Sequence, residues 1–321
     1  MFPLGNSMDS LSNPLVTIAI PTYNRANQYL RDAITCATRQ SYPHIEVIIS
    51  DNCSTDSTEQ VVREFHDPRI RYFRQSVNVG ANNNFNFCLK QAQGKYFYLF
   101  LDDDQIDPDF IETCVKAASS QPNVGIIRTG TRIIDGAGRI IMERSNKAVG
   151  LSMTDFLKAW FSNKTTMYLC STLFNTQHLR TIGGLGSKHN LFQDVMAEIK
   201  LADRFGRIDI ADVKAGFRVH GDNMGSSANV IHWCEDSLDL LEILCRAAPE
   251  HDREVIRREG MSFLCWMNYR RTQTLTPLAK KLRTYIAVGR IFNFAYPLRH
   301  FLYKKEIRPR LRALKSRLIA P

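Results

Sequence analysis

Three consecutive carboxylates, Asp102, Asp103 and Asp104, stand at the end of an apolar run, residues 96–101. Carboxylates a few ångströms apart repel by roughly 1–4 kcal/mol per pair, depending on the local dielectric. A cation is needed to offset that repulsion. The candidate is a divalent metal, which takes oxygen ligands and brings phosphate with it. A solvated acidic loop is the plain alternative. The aromatic-rich run before the triplet argues against it, because that run reads as a buried strand.

Three further clusters carry side chains that bind ligands. PTYNR (21–25) contains Pro21, Tyr23, Asn24 and Arg25, and Tyr23 offers a face for stacking a base. It also reads as no more than a strand end and turn. In SDNCSTD (50–56), Asp51 or Asn52 can hydrogen-bond the edge of a pyrimidine. The same composition makes a capping turn before a helix. In NVG and the residues after it (78–84), Gly80 permits an unusual backbone turn and Asn84 can reach a ligand from the start of the next helix. Helix initiation alone also explains that segment.

The elements that must position these residues are legible from periodicity. Apolar strands are expected at 15–20, 45–50, 70–74 and 95–101, with helices at 26–39, 58–65, 82–93 and 108–119. Such alternation predicts an α/β fold with a mostly parallel sheet flanked by helices. Ligands then sit beyond the carboxyl ends of the strands, where Asp51 and Asp102–Asp104 fall. Two strands joined by a DGAG turn are expected over 124–143, helices at 152–161 and 194–204, and a strand over 207–220. From 231 onward the pattern is helical to the end.

Taken together and in this order, PTYNR, SDNCSTD, NVG with Asn84, and LDDD resemble glycosyltransferase family 2, nucleotide-sugar transferases of the GT-A fold. The resemblance covers about residues 15–220. It implies that Pro21, Tyr23, Asp51 and Asn52 hold the base, that Asp102 contacts ribose, and that Asp103 or Asp104 holds Mn²⁺ or Mg²⁺. LFQDVMAEIKLADRFG (191–206) resembles the acceptor-side segment, with Asp194 at the catalytic base. A carboxylate within reach of an acceptor hydroxyl can take its proton as it attacks the anomeric carbon; an N-cap role for Asp194 is compatible. FRVHGDNMGSS (217–227) places His220 near the diphosphate or metal, and leaves Arg218 either structural or on phosphate. There are departures. Leu101 occupies the first position of the family's D-x-D-D pattern, Asn52 replaces a second aspartate, and Gln193 replaces a glutamate.

The implied activity is an inverting transfer of a sugar from a nucleoside-diphosphate donor to a hydroxyl of a saccharide acceptor. The implied setting is bacterial surface polysaccharide synthesis on a lipid-linked acceptor, and the spellings look like the O-antigen, abequosyltransferase-like group. A non-catalytic nucleotide-sugar-binding or scaffold protein of the same fold is the rival. A dinucleotide oxidoreductase is disfavoured, because PTYNR stands where a GxGxxG would follow the first strand.

The bulk properties fit a globular chain: 44% apolar and 23% charged residues over 321 are enough for a core. No apolar stretch approaches the roughly 18–20 residues that span a bilayer, and the first residues lack a secretory signal pattern. Eight cysteines without a CxxC pair read as reduced, buried thiols of a cytosolic protein. The net charge of +10 is a C-terminal property: residues 270–321 carry fourteen Lys/Arg and one acid, Glu306, leaving about −3 for residues 1–269. The expected division is therefore a catalytic domain over 15–225 and a helical, basic extension over 226–321. Aromatic and aliphatic residues interleave with cations over 278–321, as in a helix lying on an anionic membrane; a basic solvated helix packed on the catalytic domain is the plain alternative. The expected location is peripheral, on the inner face of the cytoplasmic membrane, with no nucleic-acid partner.

Overall fold

The computed structural model describes residues 13–26, 28–220, 229–303 and 305. Most of the expected N-terminal leader, the loop after His220 and the last part of the basic tail lie outside the described residues.

The first strand, β1 (Val16–Thr22), lies between two parallel neighbours, β2 (Ile45–Asp51) and β4 (Tyr96–Leu99). Beyond β2 lies β3 (Ile70–Arg74), also parallel. These three pairings put the carboxyl ends of β1, β2 and β4 along one rim. Alternation then sorts the side chains. Val16, Ile18, Ile20, Val47, Ile49, Tyr96 and Tyr98 face one layer, with α1 (Gln28–Thr38) and α4 (Phe110–Ala118). Ala19, Ile48, Phe97 and Leu99 face the other, with α3 (Ala81–Gln91) and α7 (Gln193–Phe205). Leu30, Ala33, Ile34 and Ala37 of α1 recur at helical spacing and are fully buried. Each buried aliphatic or aromatic side chain contributes roughly 1.5–3 kcal/mol.

β1 does not stop at Pro21, as expected from sequence, but runs to Thr22. Its ladder to β4 ends at Ala19 and Leu99, while its ladder to β2 continues to Thr22 and Asp51. Carbonyls of Ala19 and Thr22 accept from Phe100 and Asn52, on opposite sides of the strand. Pro21 has the parity of Ala19, so its missing N–H falls on the side where the ladder has already ended and disrupts nothing.

The sheet becomes mixed in its second half. β8 (Thr172–Asn175) pairs antiparallel with β4 and with β6 (Ile126–Ile134). β6 pairs in parallel with β9 (Arg207–Arg218) over its whole length and antiparallel with β7 (Ile140–Arg144), and the two-residue β5 (Gln105–Ile106) pairs antiparallel with β9. The expected parallel character holds for β1–β4. Four of the eight described pairings are antiparallel. β5, β8 and the short helix α6 (Thr176–Thr181) were not anticipated from sequence. Helices α2 (Thr58–Arg63) and α5 (Met153–Phe161) complete this unit.

The described residues divide into two units. The first holds the sheet, up to Gly186 and again over 193–220; the second holds 187–192 and everything from 229 onward. The second unit is helical: α8 (Val230–Ala247), α9 (Arg253–Thr272), α10 (Leu278–Ile291) and α11 (Leu298–Leu302). Asn229 caps α8 by accepting from Ile231 N at 3.0 Å. Tyr269, Tyr285 and Phe301 join α9, α10 and α11 through ring contacts of 5.3–5.9 Å. All eight cysteines are free thiols. No described helix is long and apolar enough to cross a membrane.

Candidate functional site

Two loops at the carboxyl ends of β1 and β2 are laced together by their own polar groups. Asn24 N donates to Ser54 Oγ at 2.8 Å, Arg25 N to Thr58 Oγ1 at 3.1 Å, Ala26 N to Asp56 Oδ2 at 3.0 Å, and Thr55 N to Asn24 Oδ1 at 2.8 Å. Asn24 adopts φ 51°, a left-handed conformation that Asn tolerates better than most residues. PTYNR and SDNCSTD thus form one rigid rim. Tyr23 stands on it and is 44% exposed.

Asp51 and Asn52 lie beneath that rim. Asp51 is fully buried and accepts from Ser54 N at 2.8 Å and from Tyr72 OH at 2.7 Å, with Arg74 Nε at 3.7 Å. Asn52 donates to Asn78 Oδ1 and accepts from Val79 N, both at 2.9 Å. Asn84 does not point outward. It is buried, accepts from Ser50 Oγ at 2.6 Å and donates to Ser50 O at 2.8 Å, so both ends of its amide hold the end of β2.

The sequence presents Asp102, Asp103 and Asp104 as equivalents, and the structure separates them. Asp102 is buried, accepts from Thr22 Oγ1 at 2.7 Å and lies 3.9 Å from Arg25 Nε. Burial is the main cause that pushes its carboxyl up to about 7, the charge of Asp103 adding to it against the Thr22 hydrogen bond. Asp103 is partly exposed, and its Oδ2 lies 2.7 Å from His220 Nε2. Asp104 turns inward. Its Oδ1 accepts from Arg218 N at 3.0 Å, its Oδ2 is buried with no hydrogen-bond partner, and burial followed by the Asp103 charge holds its carboxyl well above the usual range.

Arg218, left open between structure and phosphate by the sequence, is a clamp. Its side chain is buried. Nε donates to Asp103 O at 2.6 Å, and Nη1 to Asp135 O and Gly136 O at 3.1 and 3.2 Å. The guanidinium lies 4.6 Å from the ring of Tyr29, whose hydroxyl donates to Gly136 O at 2.9 Å. That ring is 5.5 Å from the imidazole of His220. Sequence reasoning missed Thr22 and Tyr29. Thr22 lies inside the PTYNR motif. Tyr29 lies on α1 off its apolar stripe, which was the signal available for it.

Asp194 stands in the first turn of α7, where a carboxylate is stabilised by the helix dipole. Burial raises its pKa. One turn on, Glu198 is fully buried and 3.4 Å from Arg128 Nε, and Arg128 Nη1 donates to Asp209 Oδ1 at 3.1 Å. Burial, aided by the Asp194 charge and opposed by Arg128, pushes Glu198 up to about 8. No described hydrogen bond or ion pair joins Asp194 to Asp102–Asp104.

Among the described residues no group of three or more His, Cys, Asp or Glu is placed to hold a metal ion by itself. The side chains present nonetheless suit a hard divalent cation that takes one or two carboxylates and completes its shell with phosphate oxygens. Asp103 and His220 are in contact, and Asp104 Oδ2 is a buried acceptor without a donor.

Residues 17–183 match the family model described as Glycosyl transferase family 2; the chain belongs to that family. The GalNAc(5)-diNAcBac-PP-undecaprenol beta-1,3-glucosyltransferase of Campylobacter jejuni is 28% identical over 281 residues, covering 84% of this chain and 85% of that one. Three other curated relatives are matched over only 14–40% of their own length. Staphylococcus aureus TarS 1–349, solved with UDP-GlcNAc, superposes with a TM-score of 0.67 at 18% identity, covering 88% of this chain and 81% of that one. The mannosyltransferase PcManGT of Pyrobaculum calidifontis, solved with GDP-Man and Mn²⁺, gives a TM-score of 0.56 at 19% identity over 92% and 88% of the two chains. The fold is therefore of the GT-A type.

Proposed function

We propose that this chain transfers a sugar, with inversion, from a nucleoside-diphosphate donor to a hydroxyl of a lipid-linked saccharide in bacterial surface polysaccharide synthesis. The observation that carries the reading is the rim itself. An exposed aromatic, Tyr23, and the differentiated carboxylates Asp102–Asp104 sit together beyond the carboxyl ends of parallel strands in a family 2 chain. The Campylobacter relative is named for an undecaprenol-linked acceptor, which supports the acceptor class.

In this reading Tyr23 stacks on the base. Asp51 and Asn52 present the base edge from their braced positions, supported from below by Asn84. Asn24 and Arg25 fix the loop, and Asp102 meets the ribose. Asp103, with His220 and Asp104, would hold Mn²⁺ or Mg²⁺, which supplies charge neutralisation for the departing diphosphate. A dication there also favours the ionised forms of Asp102 and Asp104. Asp194 takes the proton of the attacking hydroxyl.

We place the protein at an anionic membrane surface through α10. Leu278, Leu282 and Ile286 recur every four residues and are 68%, 49% and 46% exposed. Residues 278–305 hold seven Lys/Arg and no acid. Each cation near an anionic surface contributes about 1 kcal/mol.

The test is a donor screen. The full chain with Mn²⁺ or Mg²⁺ is titrated with UDP-, dTDP-, GDP- and CDP-sugars by thermal shift, as wild type and as Asp103→Ala. A metal-dependent shift with one donor class, lost in the variant, is expected, followed by transfer to a polyprenyl-diphosphate saccharide. Metal-dependent binding without transfer to any acceptor supports the non-catalytic rival, and no shift with any donor overturns the reading.

A further inference from the structure

Among the described residues, the helical unit holds a cation without a counter-ion. Arg271, at the end of α9, places its guanidinium carbon 3.7 Å from the ring centroid of Trp233 and 5.3 Å from that of Phe192. The two rings meet edge to face at 5.0 Å. Stacking on Trp233 covers one face of the guanidinium and leaves its edge for hydrogen bonds. Among the described residues no acceptor meets that edge: Arg271 Nη1 is buried without a partner, and so is the Trp233 indole Nε1.

The neighbouring acids serve other groups. Glu235 Oε2 accepts from Lys188 at 2.5 Å and pairs with His189 at 2.8 Å. Asp236 accepts from Ser187 Oγ, His189 N and Leu191 N at 2.6–3.0 Å. Arg270, the next residue, lies 5.2 Å over Trp266 and adds a second positive charge. Burial, with the Arg270 charge acting the same way, pulls Arg271 down to about 10, which still leaves it protonated at neutral pH. A half-buried cation with no partner among the described residues is costly unless a ligand supplies the charge.

We propose that Arg271, seated on Trp233 and Phe192 and seconded by Arg270, is an anion-binding site of the helical unit, and that its ligand is a phosphate or diphosphate group. A guanidinium edge takes two oxygens of such a group at once. The free guanidinium edge, with the Arg270 charge on the adjacent residue, matches a multiply charged oxyanion better than a single carboxylate. The group comes either from a prenyl-diphosphate headgroup or from free phosphate. The site does not depend on the donor-site reading and stands or falls separately from it.

Trp233 is its own reporter. With Trp160→Phe and Trp266→Phe it is the last of the chain's three tryptophans. The full chain is titrated with inorganic phosphate, with pyrophosphate, and with a prenyl diphosphate in neutral detergent micelles, at matched ionic strength. The expected result is a saturable change in Trp233 emission whose Kd rises at least tenfold in Arg271→Gln and by less in Arg271→Lys. Tighter binding of the prenyl diphosphate than of pyrophosphate identifies the headgroup, and equal binding identifies free phosphate. Absence of any saturable change in the unsubstituted-Arg271 protein overturns the proposal, even should Arg271→Gln fail to fold. An unchanged Kd in a folded Arg271→Gln overturns it as well.

Discussion

His220 Nε2 lies 2.7 Å from Asp103 Oδ2 and joins residues 117 apart in the chain. The contact ties the end of β9 to the loop that follows β4. If this pair holds the metal, Asp103→Ala abolishes turnover. His220→Ala lowers kcat by roughly 10–100-fold, the usual effect of disturbing a metal's ligand support, and raises the metal concentration needed for half-maximal rate. Steady-state rates across a Mn²⁺ titration check both. A His220→Ala enzyme with wild-type metal dependence removes His220 from the site.

Asp194→Asn tests the base. A positioned general base contributes roughly 10²–10⁴-fold, so kcat falls by that factor while donor Kd stays put. The raised pKa of Asp194 fixes the sign of the pH effect. Its ionised form is the active one, so activity falls as pH drops. The acid limb of kcat lies above the ordinary aspartate value and disappears in Asp194→Asn. A limb at the ordinary carboxylate value, or one unchanged by the substitution, contradicts this.

Arg218 is expected to act by positioning. Arg218→Lys keeps the charge but cannot serve Asp103 O, Asp135 O and Gly136 O at once. Each buried carbonyl left unsatisfied costs about 1–3 kcal/mol. The expected outcome is a lower unfolding midpoint together with a lower kcat and little change in acceptor KM. A variant of wild-type stability that loses only donor affinity would instead put Arg218 on phosphate.

Glu198 makes folding stability depend on pH. Its folded pKa of about 8 exceeds the unfolded value near 4.5. The unfolded state therefore gives up its proton first, and stability falls as pH rises from about 4.5 to about 8. Arg128 opposes this effect, and Asp194 and Asp209 reinforce it. Glu198→Gln should remove a pH-dependent change of roughly 5 kcal/mol across the window. Urea midpoints from pH 5 to 8.5 check it.

Asn84→Ala separates support from contact. Both ends of the Asn84 amide are engaged by Ser50, so the substitution should cost about 1–3 kcal/mol of stability and leave donor Kd unchanged. A large loss of donor affinity at normal stability would show that Asn84 touches the ligand.

The sequence determined what could be read locally. Apolar or aromatic-rich runs located β1 to β4, three of which are buried on both faces, and helical spacing with capping residues located helices α1 to α4. The acids at their ends located the rim, because an abrupt change from apolar run to carboxylates marks a strand leaving the core. Tertiary structure decided the rest. Whether Asp102, Asp103 or Asp104 meets a histidine, a threonine or a backbone amide depends on partners 80 to 117 residues away. The inward turn of Asn84 and the clamp made by Arg218 depend on the same long-range packing. β5 and β8 follow from it too, since two and four residues become strands only when a neighbour offers its edge. Sequence spacing carries no record of such distances. Burial and hydrogen-bond geometry, which set each side chain's charge and direction, exist only once the sheet has closed.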